Sequence, residues 1–398
     1  MYQMTGKELF ESGKRFAVTM FEYSWMVQRT GLQAEYADWD KVLDEVVERG
    51  YDCIRIDAFP HVLKKDADGN RPAEVTFQPI PADFMWGNHA EVTVNVAEGL
   101  VEFVQKAKDR GIYIGLSSWY NNTVCDRKSL MKTPEDYISA WTDVLDLLAE
   151  NDLLDGIVWV DVCNEFPLNH WAPHAYSYIA EEPVGTPMDA KALEHLESDW
   201  DEEYVARMNE YLVGVPKKLK VKYPQFKYAF SNQCYGEDNF LKGDFSELDM
   251  VDPHIWATDD MATAMEIGFF ETLEPNQFPV GVANMRKKAE AAVKEDVDVF
   301  TDILDERTEK WADAAKERNV ELVTTEAWCC VAYEDLSQNG HLGEWDWVKA
   351  VLETGVDFAI DRGWKGICTS NFAEPHFEGM WQDVEWHKRM TDRIRNGK

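Results

Sequence analysis

Two glutamates stand at the ends of strand-like runs, and their chemistry sets the first question about this chain. Glu165 closes the apolar, β-branched run Asp155-Gly-Ile-Val-Trp-Val-Asp-Val-Cys-Asn-Glu165, and Glu326 closes Asn319-Val-Glu-Leu-Val-Thr-Thr-Glu326. A run that is apolar on both faces is what a parallel strand covered on both sides requires. Its carboxyl end is where α/β barrels and open sheets place chemistry, because the loops vary there while the strands hold them rigid. Two carboxylates facing one another across such a mouth suit glycoside hydrolysis. One acts as a carboxylic acid that protonates the leaving oxygen, and the other attacks or stabilises the oxocarbenium-like centre.

The elements that would position this pair alternate along the chain. Strand-like runs are expected at Phe16 to Glu22, Tyr51 to Asp57, Gly111 to Ser118, Asp155 to Glu165, Phe226 to Asn232, Leu248 to Trp256, Asn319 to Glu326 and Trp364 to Asn371. Helical patterns fall between them: Asp38 to Arg49 stopped by Gly50, Asn95 to Arg110 capped by Gly111, and Thr133 to Glu150, opened by Thr133 with Pro134 and Asp136. Others are expected at 199–222, split around 258–318, at 344–362 and at 383–395. Eight strand–helix cycles without a Ser/Gly-rich linker predict a single α/β domain over residues 1–398, a (β/α)₈ barrel with long insertions (58–94 and 166–199) at the carboxyl face. A doubly wound sheet would need a glycine-rich phosphate turn after the first strand, and Glu22-Tyr23-Ser24-Trp25 has none.

Composition narrows the partners. The 398 residues carry 74 acidic against 40 basic side chains, a formal charge of -34, which repels phosphate backbones and anionic lipid and favours a neutral substrate. Seven Cys without C-x-x-C spacing read as free thiols, with Cys53, Cys163, Cys234 and Cys368 in or beside apolar runs. The amino terminus has no continuous apolar segment of signal-peptide type and no stretch reaches membrane-spanning length, so a soluble, cytoplasmic protein is expected.

Among 16 Trp, seven fall in loops expected to rim the mouth: Trp25, Trp86, Trp119, Trp171, Trp256, Trp328 and Trp381. Indole faces suit the C–H faces of sugar rings, and about half of the seven should be structural. His61, His89, His170, His174 and His254 gather at the same end, where Asp57, Asp161 or Glu22 could join them in a metal site. No H-x-H or H-E-x-x-H spacing supports one, so no metal or cofactor is expected.

With these residues in place the chain resembles clan A of the glycoside hydrolases, most nearly the cellulase-like family 5, over about residues 14 to 396. The resemblance implies that Glu165 is the acid/base, Glu326 the nucleophile, and Asn164 the group that binds the sugar 2-hydroxyl. It also implies that Arg55 steadies the nucleophile and that His254 with Trp256 takes the place of a His-x-Tyr pattern. Ser370-Asn371-Phe372 stands where such enzymes commonly present a Trp platform, for which Trp328 or Trp381 could substitute. Glu22, Trp119, Trp328 and Asn371 complete the residues expected to contact carbohydrate. The two glutamates are expected to have opposite pKa shifts, Glu326 held ionised by Arg55 and Glu165 kept protonated by an apolar pocket. The activity implied is a retaining glycosidase for β-linked neutral glycans. A non-catalytic carbohydrate-binding relative and a metal-dependent hydrolase on the same scaffold are the alternatives.

Overall fold

The computed structural model describes the chain except for residues 1, 30–33, 81–85, 183, 185–194, 234, 258–277, 330–344 and 398, and the side chains of 278–283, 285 and 286. Its parallel strands are β1 (Phe16–Glu22), β2 (Cys53–Asp57), β3 (Tyr113–Ser117), β4 (Ile157–Asp161), β5 (Lys227–Ala229, continued by Ser231–Asn232), β6 (Met250–Pro253), β7 (Glu321–Thr324) and β8 (Gly366–Cys368). Neighbours pair in chain order from β1 to β7, and β8 pairs with both β7 and β1. The ring closes at β5. Its first segment bonds to β4 and its second to β6, so an interruption at Phe230 divides one strand between two neighbours. The architecture is therefore the expected (β/α)₈ barrel.

The helices between strands are α1 (Trp39–Glu48), α2 (Val96–Arg110), α3 (Pro134–Glu150), α4 (Glu202–Leu212, resumed as Gly214–Lys222), α5 (Glu237–Leu241), α6 (Val297–Arg318), α7 (Asp346–Asp361) and α8 (Val384–Asn396). Their ends follow the local chemistry. Asp38, Asn95 and Thr133 cap α1, α2 and α3 through side-chain oxygens, and Thr133 with Asp136 forms a full capping box. Gly111 ends α2 at φ +75°, a left-handed conformation that a Cβ would disfavour. A further helix, Phe278–Glu295, precedes α6, so the expected split within 258–318 is present in its described part.

The barrel interior is filled by pairing large with small. Parallel register sets Gly115 beside Trp159 and Gly366 beside Phe16. A Cβ on Gly115 would lie 2.0 Å from the Trp159 ring, so the glycine makes room for the indole. The amino-terminal floor is closed by a short helix, Gly6–Glu11, absent from the sequence-based expectation. Gly6 lies against the Ile157 carbonyl, where a Cβ would come within 2.2 Å, and Tyr2 donates to the Ile112 carbonyl at 2.8 Å.

Two corrections concern the carboxyl end. The regular part of β4 stops at Asp161, although Val162 N and Asn164 N still donate to Ala229 O and Ser118 O at 2.9 Å each. The 58–94 insertion holds an antiparallel hairpin, Val75–Phe77 with Val92–Val94, and the 166–199 insertion holds a helix, Pro173–Ala180. No helix among the described residues is long and apolar enough to cross a membrane. Cys53, Cys163, Cys329 and Cys368 are buried free thiols, while Cys234 and Cys330 lie outside the described residues.

Candidate active site

Arg55 is the centre from which the site is built. It points inward from β2, is fully buried, and reaches polar groups on five other strands or their ends. Nη1 donates to Glu326 Oε1 at 2.7 Å. Nη2 donates to Asp161 Oδ2 and Asn164 Oδ1 at 2.7 Å each, and to Ser117 Oγ at 2.9 Å. Nε lies 3.9 Å from Asp252 Oδ2, and the guanidinium sits 4.3 Å over the Trp119 ring. Burial opposes the charge, but Asp161, Asp252 and Glu326 outweigh it and hold the guanidinium firmly protonated.

The acids around Arg55 are themselves tied down. Asp161 Oδ2 accepts from Ser117 Oγ at 2.6 Å and from Ser231 Oγ at 2.9 Å, while Oδ1 accepts from Ser231 N at 2.8 Å. Asp252 accepts from Thr325 N and Oγ1 at 2.9 and 2.6 Å. These partners fix the orientation of each carboxylate before a ligand arrives.

Glu165 is turned over the mouth by its own backbone, at φ +49°. A left-handed conformation in a residue with a Cβ costs about 1–3 kcal/mol, and the surroundings that hold it are visible: Glu165 N donates to Ser231 Oγ at 3.0 Å. Glu165 Oε2 accepts from the Trp171 indole N–H at 2.7 Å, and Oε1 lies 3.2 Å from His254 Nδ1. His254 Nδ1 is also 3.6 Å from Glu326 Oε2. One carboxylate oxygen of each glutamate and a His254 nitrogen thus lie within 4.8 Å of one another.

Electrostatics differ from the opposite shifts expected. Burial raises both glutamates. Glu165 reaches about 7, with the Trp171 hydrogen bond and Arg55 opposing the rise. Glu326 also rises through burial, with His254 and Arg55 opposing it and Glu165 adding to it. Burial lowers His254, against the opposing pull of Glu326 and Asp252, and so disfavours its charged form. The ion pair expected between Arg55 and Glu326 is present, but it competes with a desolvation that the sequence does not display.

The other expected contacts divide into two groups. Asn164, Arg55, His254, Trp119 and Trp256 surround the glutamates, with Trp256 Nε1 donating to Glu326 O at 3.1 Å. Glu22 also lies at this end, within the electrostatic reach of Glu326. Trp328 and Asn371 are not placed to touch a substrate. Trp328 is fully buried beneath α7, donates to Cys368 O at 3.1 Å and packs against Trp364. The Asn371 amide, oriented by its neighbours, donates to Ala327 O and Cys329 O at 3.0 and 3.1 Å.

Trp25 and Trp381 are also structural, the first packed on Phe103 and the second under Arg49. Cys329 is buried and its thiol is pushed up to about 12. Groups that sequence reasoning did not single out as partners include Ser117, Ser231, Asp252, Glu374 and His376. Asp252 had a legible signal: an acid inside an otherwise apolar strand needs a buried partner.

Among the described residues two clusters have a ligand set that a cation could use: Glu165 with His254 and Glu326, and Glu22 with Glu374 and His376. In the first, Arg55 already occupies one Glu326 oxygen and the Trp171 N–H one Glu165 oxygen, which suits an acid and a nucleophile.

Comparison with known proteins gives the family and the fold. A family model described as sugar-binding cellulase-like matches residues 18–395. The crystal structure of a candidate glycoside hydrolase from Parabacteroides distasonis ATCC 8503 is 32% identical, with a TM-score of 0.79, over 96% of this chain and 94% of that one. A cellotetraose complex of an endocellulase from Pyrococcus horikoshii shares the fold at a TM-score of 0.51 and 12% identity, covering 95% and 93% of the two chains. No curated protein matches at a significant level.

Proposed function

Since the chain belongs to the sugar-binding cellulase-like family of glycoside hydrolases, we propose that it is a retaining enzyme for β-linked neutral oligosaccharides or glycans, with Glu326 as nucleophile and Glu165 as acid/base. The observation that carries the reading is the convergence of the two carboxylates with His254 within 4.8 Å. Retaining enzymes keep their carboxyl groups about 5–5.5 Å apart, whereas inverting enzymes leave about 6.5–9.5 Å for an intervening water.

The residues divide the work as follows. Arg55 donates to Glu326 Oε1 and leaves Oε2 facing the mouth to attack the anomeric carbon. The Trp171 indole is a donor only, so Glu165 Oε2 accepts from it and Oε1 is the oxygen we assign to the catalytic proton. With its carboxyl raised to about 7, Glu165 is about half protonated near neutral pH and more so below it, and can deliver that proton to the leaving oxygen. The same group, then ionised, deprotonates the water that cleaves the glycosyl–enzyme bond. Among the described residues Asn164 Nδ2 is buried without a protein partner while its Oδ1 is held by Arg55, so its amide hydrogens are available to a sugar hydroxyl.

A screen of aryl β-glycosides with NMR of the first product tests this. The β anomer should appear first, and α-first product would sink the retaining assignment. Glu165→Gln should lower kcat by about 10²–10⁴-fold on substrates with poor leaving groups. Glu326→Gln should abolish turnover while sugar binding persists. A chain that binds sugars but shows no hydrolysis in its unmodified form would instead be a non-catalytic binder.

A further inference from the structure

Among the described residues β1 and β8 give the Arg55 network no oxygen acceptor, Met20 Sδ on β1 being a weak acceptor 3.8 Å from Nη1, yet the chain ends of these two strands carry a second polar cluster within the electrostatic reach of Glu326. Glu22, at the end of β1, and Glu374, after β8, bring carboxylate oxygens to within 4.8 Å of one another and of a His376 ring nitrogen. All three are buried. Glu22 Oε2 accepts from Ser24 N, and Glu374 Oε2 accepts from the Tyr36 hydroxyl at 2.7 Å and lies 3.2 Å from His376 Nδ1.

Among the described residues Glu22 Oε1 and the adjacent Tyr23 hydroxyl are buried without a protein partner, and so is Asn164 Nδ2 on the far side of Arg55. Tyr23 is 1% exposed, and its hydroxyl is within the electrostatic reach of Glu22, Glu326 and Glu374 together. Asn164 and Glu326 are joined through Arg55. Buried polar groups without partners are uncommon because each forfeits its hydration, so several around one point mark a place where a ligand supplies the missing bonds. The unmet need is for donors at a carboxylate oxygen, for either role at a phenol and for an acceptor at an amide, which is the hydrogen-bonding pattern of adjacent sugar hydroxyls.

The surroundings are closed. Gly87 N donates to Ser24 Oγ at 2.8 Å, Gln28 Nε2 donates to Gly87 O at 2.6 Å, and Trp86 packs against Phe372 and Phe377. Glu22, Tyr23 and Glu374 are each at most 1% exposed, so among the described residues this cluster offers an onward chain no open path. Burial raises both carboxyls, with Glu374 adding to the rise at Glu22 and Glu326 adding to it at both, which disfavours their charged forms and suits a neutral ligand.

We propose that Glu22, Tyr23 and Glu374 form a dead-end subsite that hydrogen-bonds the hydroxyls of a chain-terminal neutral sugar unit beside Glu326, so that the enzyme releases units from glycan ends. This rests on the glycosidase reading and names the substrate end on which it acts.

The test uses the full chain and the isosteric variants Glu22→Gln, Glu374→Gln and Tyr23→Phe. Reduced oligosaccharides should yield one small product from the earliest time points, and calorimetry with D-glucose, D-mannose, D-galactose and D-xylose should find binding of at least one. Each glutamine variant should weaken that binding by about tenfold or more and raise KM more than it lowers kcat, and Tyr23→Phe should do so to a smaller degree. Products of mixed length from the start overturn the proposal. So does binding that the variants leave unchanged, which would make the pair a structural site for a shared proton, or no binding of any of the four sugars. Turnover lost to a chelator and restored by a divalent metal would assign the cluster to a cation instead. If the unmodified chain cleaves no glycoside, the glycosidase reading fails, and the calorimetric comparison still judges the subsite.

Discussion

Removing the Trp171 indole N–H from Glu165 takes away a bond that favours the ionised carboxylate. Trp171→Phe should therefore raise the Glu165 pKa further. Because the acid works below its pKa, the alkaline limb of kcat/KM should move to higher pH. Aryl glycosides whose leaving groups need little protonation should lose least, and a limb that stays in place would deny Trp171 this positioning role. Arg55→Met is a stability experiment at the same scale. It leaves Glu326, Asp161 and Asp252 buried without their counter-charge, and should cost about 3–5 kcal/mol in urea unfolding. Glu165, Glu326, Arg55 and His254 were legible from a strand count, although only Arg55 lies within a regular strand and the other three lie one to four residues beyond the end of one. Trp328 was not. A strand period of two would keep it on the side of Glu326, but regular β7 stops at Thr324, and pairing resumes with Ala327–Trp328 against Ile255–Trp256, resetting the alternation. Trp171 was visible only as a rim aromatic, because its partner is chosen by the path of an insertion.

Among the elements, those with their own start and stop chemistry could be read closely. Thr133-Pro-Glu-Asp opens α3 through a capping box, and Thr133→Ala should cost about 1 kcal/mol in a thermal or urea melt. Gly6–Glu11 carries a comparable signal in Thr5 and Glu8, but six residues hold no convincing hydrophobic period, and what fixes the helix is its contact with the barrel floor. The same floor makes a harsher prediction. Gly115→Ala places a methyl 2.0 Å from the Trp159 ring, so it should destabilise by about 1–3 kcal/mol or more, and a neutral result would mean that the indole has room to shift. Sequence marks Gly115 as a strand glycine but does not identify the ring on the next strand that requires it. The interruption of β5 at Phe230 is likewise a matter of closure between two neighbours, which no local pattern records.

For the whole molecule, buried carboxyls set the pH response. Asp57 and Glu165 are raised to about 7 and Asp252 to about 6, in each case chiefly by burial. Their unfolded values lie near 4, so between about pH 4 and 7 the folded state binds more protons than the unfolded one. Stability should then fall as pH rises through that window, and the formal charge of -34 pushes the same way through self-repulsion. Urea midpoints should be higher at pH 5 than at pH 8, and a flat or reversed trend would show that Arg55 compensates these acids more fully than their burial implies. Surface acids such as Asp40 and Asp136, held below their usual range by lysine and arginine or by helix-capping partners, resist only more acidic conditions.

Among the described residues Arg55 on β2 takes its oxygen acceptors from β3 through β7 or their ends, and β1 adds only the weak Met20 sulfur contact. That division makes the barrel modular for an engineer. The segments following β1 and β8 can be exchanged or randomised to alter which sugar is accepted, while bond-breaking stays with the six strands that share one guanidinium. A library confined to those two segments should yield changed preferences far more often than dead enzymes, and one spread over the other six should do the reverse.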